Sequence, residues 1–272
     1  MRLAVVGHVE WIDFLHVERV PEQGEIVHAS RGWGDAAGGG AVAAVQLANL
    51  AGEATFFTTF GSDARGRQAR ERLEQKRVRL AAHEIEQPQR YGVTFVDDEG
   101  ERTITVVGER LTLQGGDPDL PWSELEGADG VYFVSGDAAA VRRARKARVL
   151  VAASRSLGVL KEAGVELDAI VGSASDPGER YQHGDLDPPP RLVVHTEGAH
   201  GGTLEPGGRY QPVELPGPIV DSYGCGDCFA AGLTYGLAAG MSVEEAVELA
   251  ARCGATVLTG NGPYERQYEL IG

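Results

Sequence analysis

The segment Ile219-Val-Asp-Ser-Tyr-Gly-Cys-Gly-Asp-Cys-Phe-Ala-Ala-Gly-Leu233 runs a turn of small residues straight into an apolar helix. Small residues at Gly224, Cys225 and Gly226 let backbone amides converge, and a helix N-terminus adds its positive end, so the turn can hold a developing phosphoryl anion. Asp227 falls in the first helical turn, where its carboxylate could take a proton from an attacking hydroxyl while the adjacent amides hold the transferring phosphate. The same position also suits an acidic residue that does no more than stabilise the start of a helix. Cys225-Gly-Asp-Cys228 is a CxxC at a helix N-terminus, where a thiolate would be stabilised and a redox or metal role arises. No second Cys pair or nearby His completes a zinc set, and only Cys253 remains, so Cys225 reads as a small residue in an Ala-like position.

The elements that must position this turn alternate along the chain. Segments rich in Val, Ile and Phe (Ala4 to Gly7, Ala54 to Thr59, Gly130 to Val134, Val149 to Ala152, Ala169 to Gly172 and Leu192 to His195) read as strands. Between them, Ala41 to Ala51, Arg65 to Glu74, Val141 to Lys146, Cys228 to Ala239 and Val243 to Ala251 read as helices. Ser242-Val-Glu-Glu245 is a capping pattern, and Gly240 closes the preceding helix. This is an α/β pattern with a mainly parallel sheet. Asp13 to Trp33, and Tyr91 to Val107 around Asp98-Glu-Gly100, break the alternation and read as extended strands with a hairpin turn. They predict a small second sheet, too small to fold alone, lying as a lid from about 13 to 34 and 90 to 108 on a single domain spanning 1–272. Leu113 to Leu120 and Pro188-Pro-Pro190 read as loops. Gly32-x-Gly34-x-x-Ala37 with Glu53 fits a dinucleotide fingerprint formally. Its context is wrong, because Ile26 to Arg31 reads as an exposed strand where a buried one is required.

Acidic residues outnumber basic ones, 40 to 25, for a formal charge of -15, which disfavours nucleic acid and anionic membrane surfaces as partners. Arg142-Arg-Ala-Arg-Lys146 accordingly reads as a solvated helix face. ATP remains an acceptable ligand, since amides, a helix N-terminus and a metal act locally. The opening Met1-Arg-Leu-Ala-Val-Val-Gly7 is too short for a membrane span, lacks a cleavage pattern and reads as a buried strand. An odd set of three cysteines fits free thiols in a reducing cytoplasm.

Asp221-Ser-Tyr-Gly-Cys-Gly-Asp227 resembles the C-terminal signature of the ribokinase-like (PfkB-type) carbohydrate kinases, usually Asp-Thr-x-Gly-Ala-Gly-Asp. Thr196-Glu-Gly198-Ala-His-Gly201 is similar to the family's nucleotide-contacting Thr-x-Gly-x-x-Gly loop. Gly7 to Asp13, Gln23-Gly-Glu25, Gly38-Gly39, Gly61-Ser-Asp63 and Gly66 fall in the family's order, so the resemblance runs from the first strand to the last helix. It implies a three-layer α/β/α ribokinase-like fold with a β lid, ATP and Mg2+ as cofactors with room for a monovalent cation, and pairing of two copies through the lid. It also implies Asp227 as catalytic base, Gly224, Cys225 and Gly226 as anion hole, and Asp13 on the acceptor's hydroxyls. ATP would then lie along Thr196, Gly198 and Gly201 and near Arg252 to Asn261.

Two positions depart from the family pattern. The substrate-binding Asn that follows Gly38-Gly39 is replaced by Ala43, or by Val42 if the pair starts one residue earlier, which puts ribose itself in doubt. The Asn-x-x-Glu element that helps place metal and phosphates appears as Ser173-Ala-Ser-Asp176, with a shorter acid as the candidate metal contact. A sugar kinase is the first reading. A nucleoside kinase is the second, supported by apolar Val42 and Ala43 and by stacking at Trp11 or Phe95. A binding protein that kept the fold without catalysis is the third. His8 and Glu10, after the first strand, and Arg102, on the hairpin, are further residues within reach of a ligand.

Overall fold

The structure is a computed structural model that describes residues 1–270. A nine-stranded sheet has the order β13-β12-β11-β10-β9-β8-β1-β4-β5. Within it, β1 (Leu3–Val6) is flanked by β4 (Ala54–Gly61) and β5 (Val78–Ile85) on one side, and by β8 (Gly130–Phe133), β9 (Val149–Ala153), β10 (Ala169–Ser173) and β11 (Val193–Thr196) on the other. These run parallel, while β12 (Gly202–Glu205) and β13 (Gly208–Tyr210) close one edge as an antiparallel hairpin.

Alternate residues of β1 enter different cores, as the period of a strand requires. Leu3 and Val5 pack with buried residues of α1 (Gly39–Ala51), α2 (Ala64–Glu74), α5 (Cys225–Ala238) and α6 (Val243–Val257). Ala4 and Val6 pack with α3 (Ala138–Ala144) and α4 (Leu157–Ala163). The result is a three-layer α/β/α sandwich, as the family resemblance implied. β5, α4 and the β12–β13 hairpin carry no long apolar run and lie beyond the sequence expectations. In the Arg142 to Lys146 stretch Arg142, Arg143 and Lys146 are exposed as expected, although α3 ends at Ala144, and Arg142 and Arg145 donate to the carbonyls of Glu162, Ala163 and Glu166.

The second sheet has four strands in the order β3-β2-β6-β7. It comprises β2 (Glu10–His16), β3 (Arg31–Ala37), β6 (Tyr91–Val96) and β7 (Arg102–Val107). Its first strand thus starts at Glu10 rather than Asp13, and Ile26 to Ser30, expected as strand, is an exposed connection with Ile26 at 89% exposure. Gly32, Gly34 and Ala37 lie inside β3, so no phosphate-binding turn exists at that pattern.

α5 and α6 approach closely because glycines face the contact. A Cβ at Gly232 would meet the Ala250 Cα at 2.8 Å, and one at Gly236 would meet the Ala246 Cα at 2.7 Å. Gly232→Val is therefore expected to lower stability by about 1–3 kcal/mol through overpacking. Gly116→Ala, at an exposed glycine with open space around it, should stay within about 0.5 kcal/mol. Urea unfolding of both variants checks this.

Candidate functional site

The C-terminal ends of the parallel strands open into a cleft of about 530 Å3. His8, Val134, Ala153, Ser173 and Thr196 bring the ends of β1, β8, β9, β10 and β11 to its walls. Arg102 and Ile104 reach it from the four-stranded sheet, and Tyr223 to Asp227 form its floor.

That floor is built around Asp221, which is fully buried. Its Oδ1 accepts the Tyr223 amide at 2.8 Å and its Oδ2 accepts the Gly262 amide at 2.9 Å. Gly224 follows at φ +84 as the N-cap of α5, a left-handed conformation that a glycine adopts without strain. No side chain caps α5, so the amides of Cys225, Gly226 and Asp227 are left for a ligand. Gly226 is exposed, and a Cβ there would meet nothing within 4 Å. The Tyr223 hydroxyl accepts the Gly38 amide at 3.2 Å, which holds the Gly38-Gly39 turn against the same floor. A Cβ on Gly39 would come within 2.6 Å of Asp227 Oδ1, so the backbone there approaches the carboxylate as only glycine allows.

The Asp227 carboxylate is half-buried at the bottom of the cleft. Burial pushes its pKa up to about 6; Arg102 and Arg155 oppose that rise, and Glu179 and Glu10 add to it. A carboxylate with that pKa, beside free helix amides, is equipped to take a proton from a hydroxyl whose oxygen attacks an anion held at the helix end. Burial also pushes the Cys225 and Cys228 thiols up, so the CxxC carries neutral thiols rather than a reactive thiolate, and all three cysteines are free.

Several sequence expectations meet a different arrangement. Register decides the four-stranded sheet: Phe14 pairs with Trp33 and Thr94, and Thr94 with Ile104, so these side chains share the face that reaches the cleft. Asp13, one residue away, shares the opposite face with Trp11, which donates to Asp13 Oδ1 at 2.9 Å; both would crowd a Cβ on Gly34. Phe95 also alternates to that far face. Trp11, Asp13 and Phe95 therefore do not line the cleft. Glu10, on the cleft face of β2, is buried against Arg90 at 3.1 Å and lies 3.7 Å from His8.

Val42 and Ala43 are fully buried in the cores, Val42 behind Gly224, because the helix turns these positions away from the cleft. Neither residue substitutes for a polar acceptor contact.

On the strand-end side, Ser173 and Asp176 line the cleft with Ser175 and Glu179. Glu179, which the sequence pattern did not mark, accepts the Ser173 amide at 3.0 Å and bonds Arg155 Nε at 3.0 Å, while Asp176 pairs with Arg155 at 2.5 Å. Thr196 is at the cleft wall. Gly198 is exposed in the turn that follows it, and Gly201 permits the approach of Tyr210, whose carbonyl would be 2.2 Å from a Cβ. Arg252 lies instead in a neighbouring cleft of about 460 Å3 with Val213 to Pro216, and pairs with Glu248. Asn261 is engaged with Glu265 and is absent from both linings.

Comparison with known proteins places this geometry. The pfkB family carbohydrate kinase model matches residues 1–162 and 159–268. An ATP-dependent ribose-1-phosphate kinase of Halopiger xanaduensis is 31% identical, with 94% of this chain and 91% of that protein aligned. A fructokinase of Salmonella typhimurium is 29% identical over 84% of this chain and 89% of its own. Among solved structures, a ribokinase of Thermotoga maritima superposes with a TM-score of 0.77 at 19% identity, covering 96% of this chain and 94% of that one. A microbiome-derived acarbose kinase superposes with a TM-score of 0.79 at 20% identity, covering 98% and 96%. With the ribokinase-like fold and a family match over nearly its whole length, the chain belongs to the PfkB family of carbohydrate kinases.

Proposed function

We propose that this carbohydrate kinase moves the γ-phosphate of ATP onto a hydroxyl of a sugar or sugar derivative, with Asp227 as general base and the amides of Cys225, Gly226 and Asp227 as anion hole. The observation that carries the reading is the half-buried Asp227 carboxylate at the bottom of the strand-end cleft, beside helix amides that no side chain caps. The acceptor oxygen bonds to the γ-phosphorus as the bond to the leaving ADP oxygen breaks, and the hydroxyl proton passes to Asp227. The whole chain acts as one unit, with the four-stranded sheet as a lid whose Arg102 and Ile104 close over the acceptor.

The nucleoside reading loses its support, since Val42, Ala43, Trp11 and Phe95 are all outside the cleft. The relatives' names support a sugar acceptor and the use of ATP. ATP extends from the Thr196 to Gly201 turn toward the floor, with its base in the direction of the Arg252 cleft.

No group of three or more His, Cys, Asp or Glu among the described residues could hold a metal alone. This fits a magnesium ion that takes most of its ligands from phosphate oxygens and water, with Glu179 and Asp176 as the cleft carboxylates within reach. When bound, such an ion neutralises charge on the transferring phosphates.

Asp227→Asn should lower turnover by about 10^2–10^4-fold with little change in nucleotide affinity. Steady-state kinetics with an identified acceptor would check it, and near-native turnover would reject Asp227 as base. Burial holds the folded-state pKa above that of the unfolded chain, so the stability this group contributes is present at low pH and is lost as pH rises through about 6. The same variant is therefore expected to melt higher than wild type at pH 8, with the difference shrinking toward pH 5 in thermal scans. Because the base must be ionised, kcat/KM should be level above about pH 7 and fall on the acid side of about 6. The variant should lack that acid limb.

A further inference from the structure

Sheet order sets out the cleft as a line. His8 and Gly39 stand at its β1 end beside Asp227, Ser173 and Thr196 stand at the ends of β10 and β11, and β8 and β9 lie between. With the acceptor over β1 and the donor nucleotide over β10 and β11, the phosphoryl group in transfer crosses the ground above β8 and β9. A side-chain donor presented there acts on charge that develops only during the transfer.

β8 presents Tyr132. Gly130, Tyr132 and Val134 share the face that meets α5, as the period of a strand requires. The two ends of this row fix where its middle points. A Cβ on Gly130 would meet Ala238 Cβ at 2.8 Å and Thr234 Cγ2 at 3.3 Å, toward the C-terminal end of α5. At the other end, a Cβ on Gly39 would be 3.2 Å from Val134 Cγ1 and 2.6 Å from Asp227 Oδ1, at the first turn of α5. Tyr132 therefore lies beneath the start of α5, in the same core as Phe229 and Ala230. It is 3% exposed yet lines the cleft, so the ring is buried and the hydroxyl end is what the cleft meets. Two tyrosines line this cleft. The hydroxyl of Tyr223 is engaged by the Gly38 amide, whereas that of Tyr132 has no hydrogen-bond partner among the described residues. Burial, then the charges of Asp227 and Glu179, hold the Tyr132 pKa well above its usual value, so the group stays a neutral O–H donor. Phenylalanine would fill the same core space, and a hydroxyl in a closing cleft is costly unless it finds an acceptor.

We propose that Tyr132 is a further catalytic residue, whose hydroxyl donates a hydrogen bond to an oxygen of the phosphoryl group in transfer, alongside the amides of Cys225, Gly226 and Asp227. The proposal rests on the kinase reading above. The acceptor oxygen bonds to the γ-phosphorus, the bond to the ADP oxygen breaks, and the acceptor's proton passes to Asp227, while Tyr132 keeps its own proton throughout. A neutral phenol suits this place, because it adds a donor without a charge that would pair with Asp227 or Glu179 before the phosphate arrives.

The test removes one oxygen, as Tyr132→Phe in the full chain. Calorimetry follows magnesium–ADP alone and with aluminium fluoride, an anion that takes the place of the phosphoryl group in transfer. Aluminium fluoride should tighten ADP binding to the wild type by about 100-fold, and the variant should lose about tenfold or more of that gain while binding magnesium–ADP alone within about twofold. With the acceptor that the wild type uses fastest, kcat should fall by about 10- to 100-fold, and the acid limb of kcat/KM should stay near pH 6. The variant should melt no lower than wild type, because no hydrogen bond within the protein is lost. The proposal is overturned if the variant keeps the whole gain, whether or not it melts lower. It is equally overturned if magnesium–ADP alone weakens by the same factor, which would assign the hydroxyl to the bound nucleotide, or if the acid limb moves upward, which would assign it to Asp227. Failure of the kinase reading would appear in the wild type itself, as no gain from aluminium fluoride and no ATP turnover with any sugar, and would take this proposal with it.

Discussion

The buried carboxylate of Asp221 is the constraint on which the site depends. By accepting amides from Tyr223 and Gly262 it shapes the turn that starts α5 and ties it to the loop after α6. Two other segments then dock on that turn. Gly38 donates to Tyr223, the Ser222 amide donates to the Gly100 carbonyl at the tip of the β6–β7 hairpin, and Arg102 donates to Ser222. A buried carboxylate whose oxygens are filled by backbone donors is stable where an unpaired one would not be. Loss of this one side chain would leave two buried amides without acceptors and loosen the floor, the glycine turn and the hairpin tip together.

Around this anchor, charge is distributed against the molecule's average. The chain is strongly acidic, yet Arg90, Arg102, Arg110 and Arg155 converge on or beside one cleft. Local cations next to helix amides make an anion site that the net charge does not cancel, because fields in a partly desolvated cleft act over a few ångströms. Asp227 sits among them with its charge disfavoured by burial, which suits the role of base proposed for it. Burying this charge costs fold stability, and the glycine at 39 is part of the arrangement, since any larger residue would crowd the carboxylate.

Layer architecture and the Asp221 to Asp227 turn were legible in the sequence, because apolar periodicity and a glycine-flanked helix start are local signals. β5 was less legible: it is an edge strand with Arg79, His83 and Glu84 among its residues, and so lacks a continuous apolar run. A second acid at the strand-end wall, Glu179, was missed for a related reason. The pattern pointed to Asp176, but a short 3-10 turn at Pro177–Glu179 brings Glu179 back to the Ser173 amide, and spacing alone does not reveal such a fold-back.

The sequence by itself determined the α/β class, the family signature and Asp227 at the start of its helix, each set by residues within a few positions of one another. Only the tertiary structure decided which face of β2 meets the cleft, and it placed Asp13, Trp11 and Phe95 on the far side. A strand alternates every residue, so a register set by pairing with β3 and β6 reverses the role of each neighbour, and no local property of Asp13 records that choice. That Arg102 and Arg110 form no ion pair among the described residues is likewise a tertiary fact, since whether Arg110 finds a carboxylate depends on segments far from it in the chain.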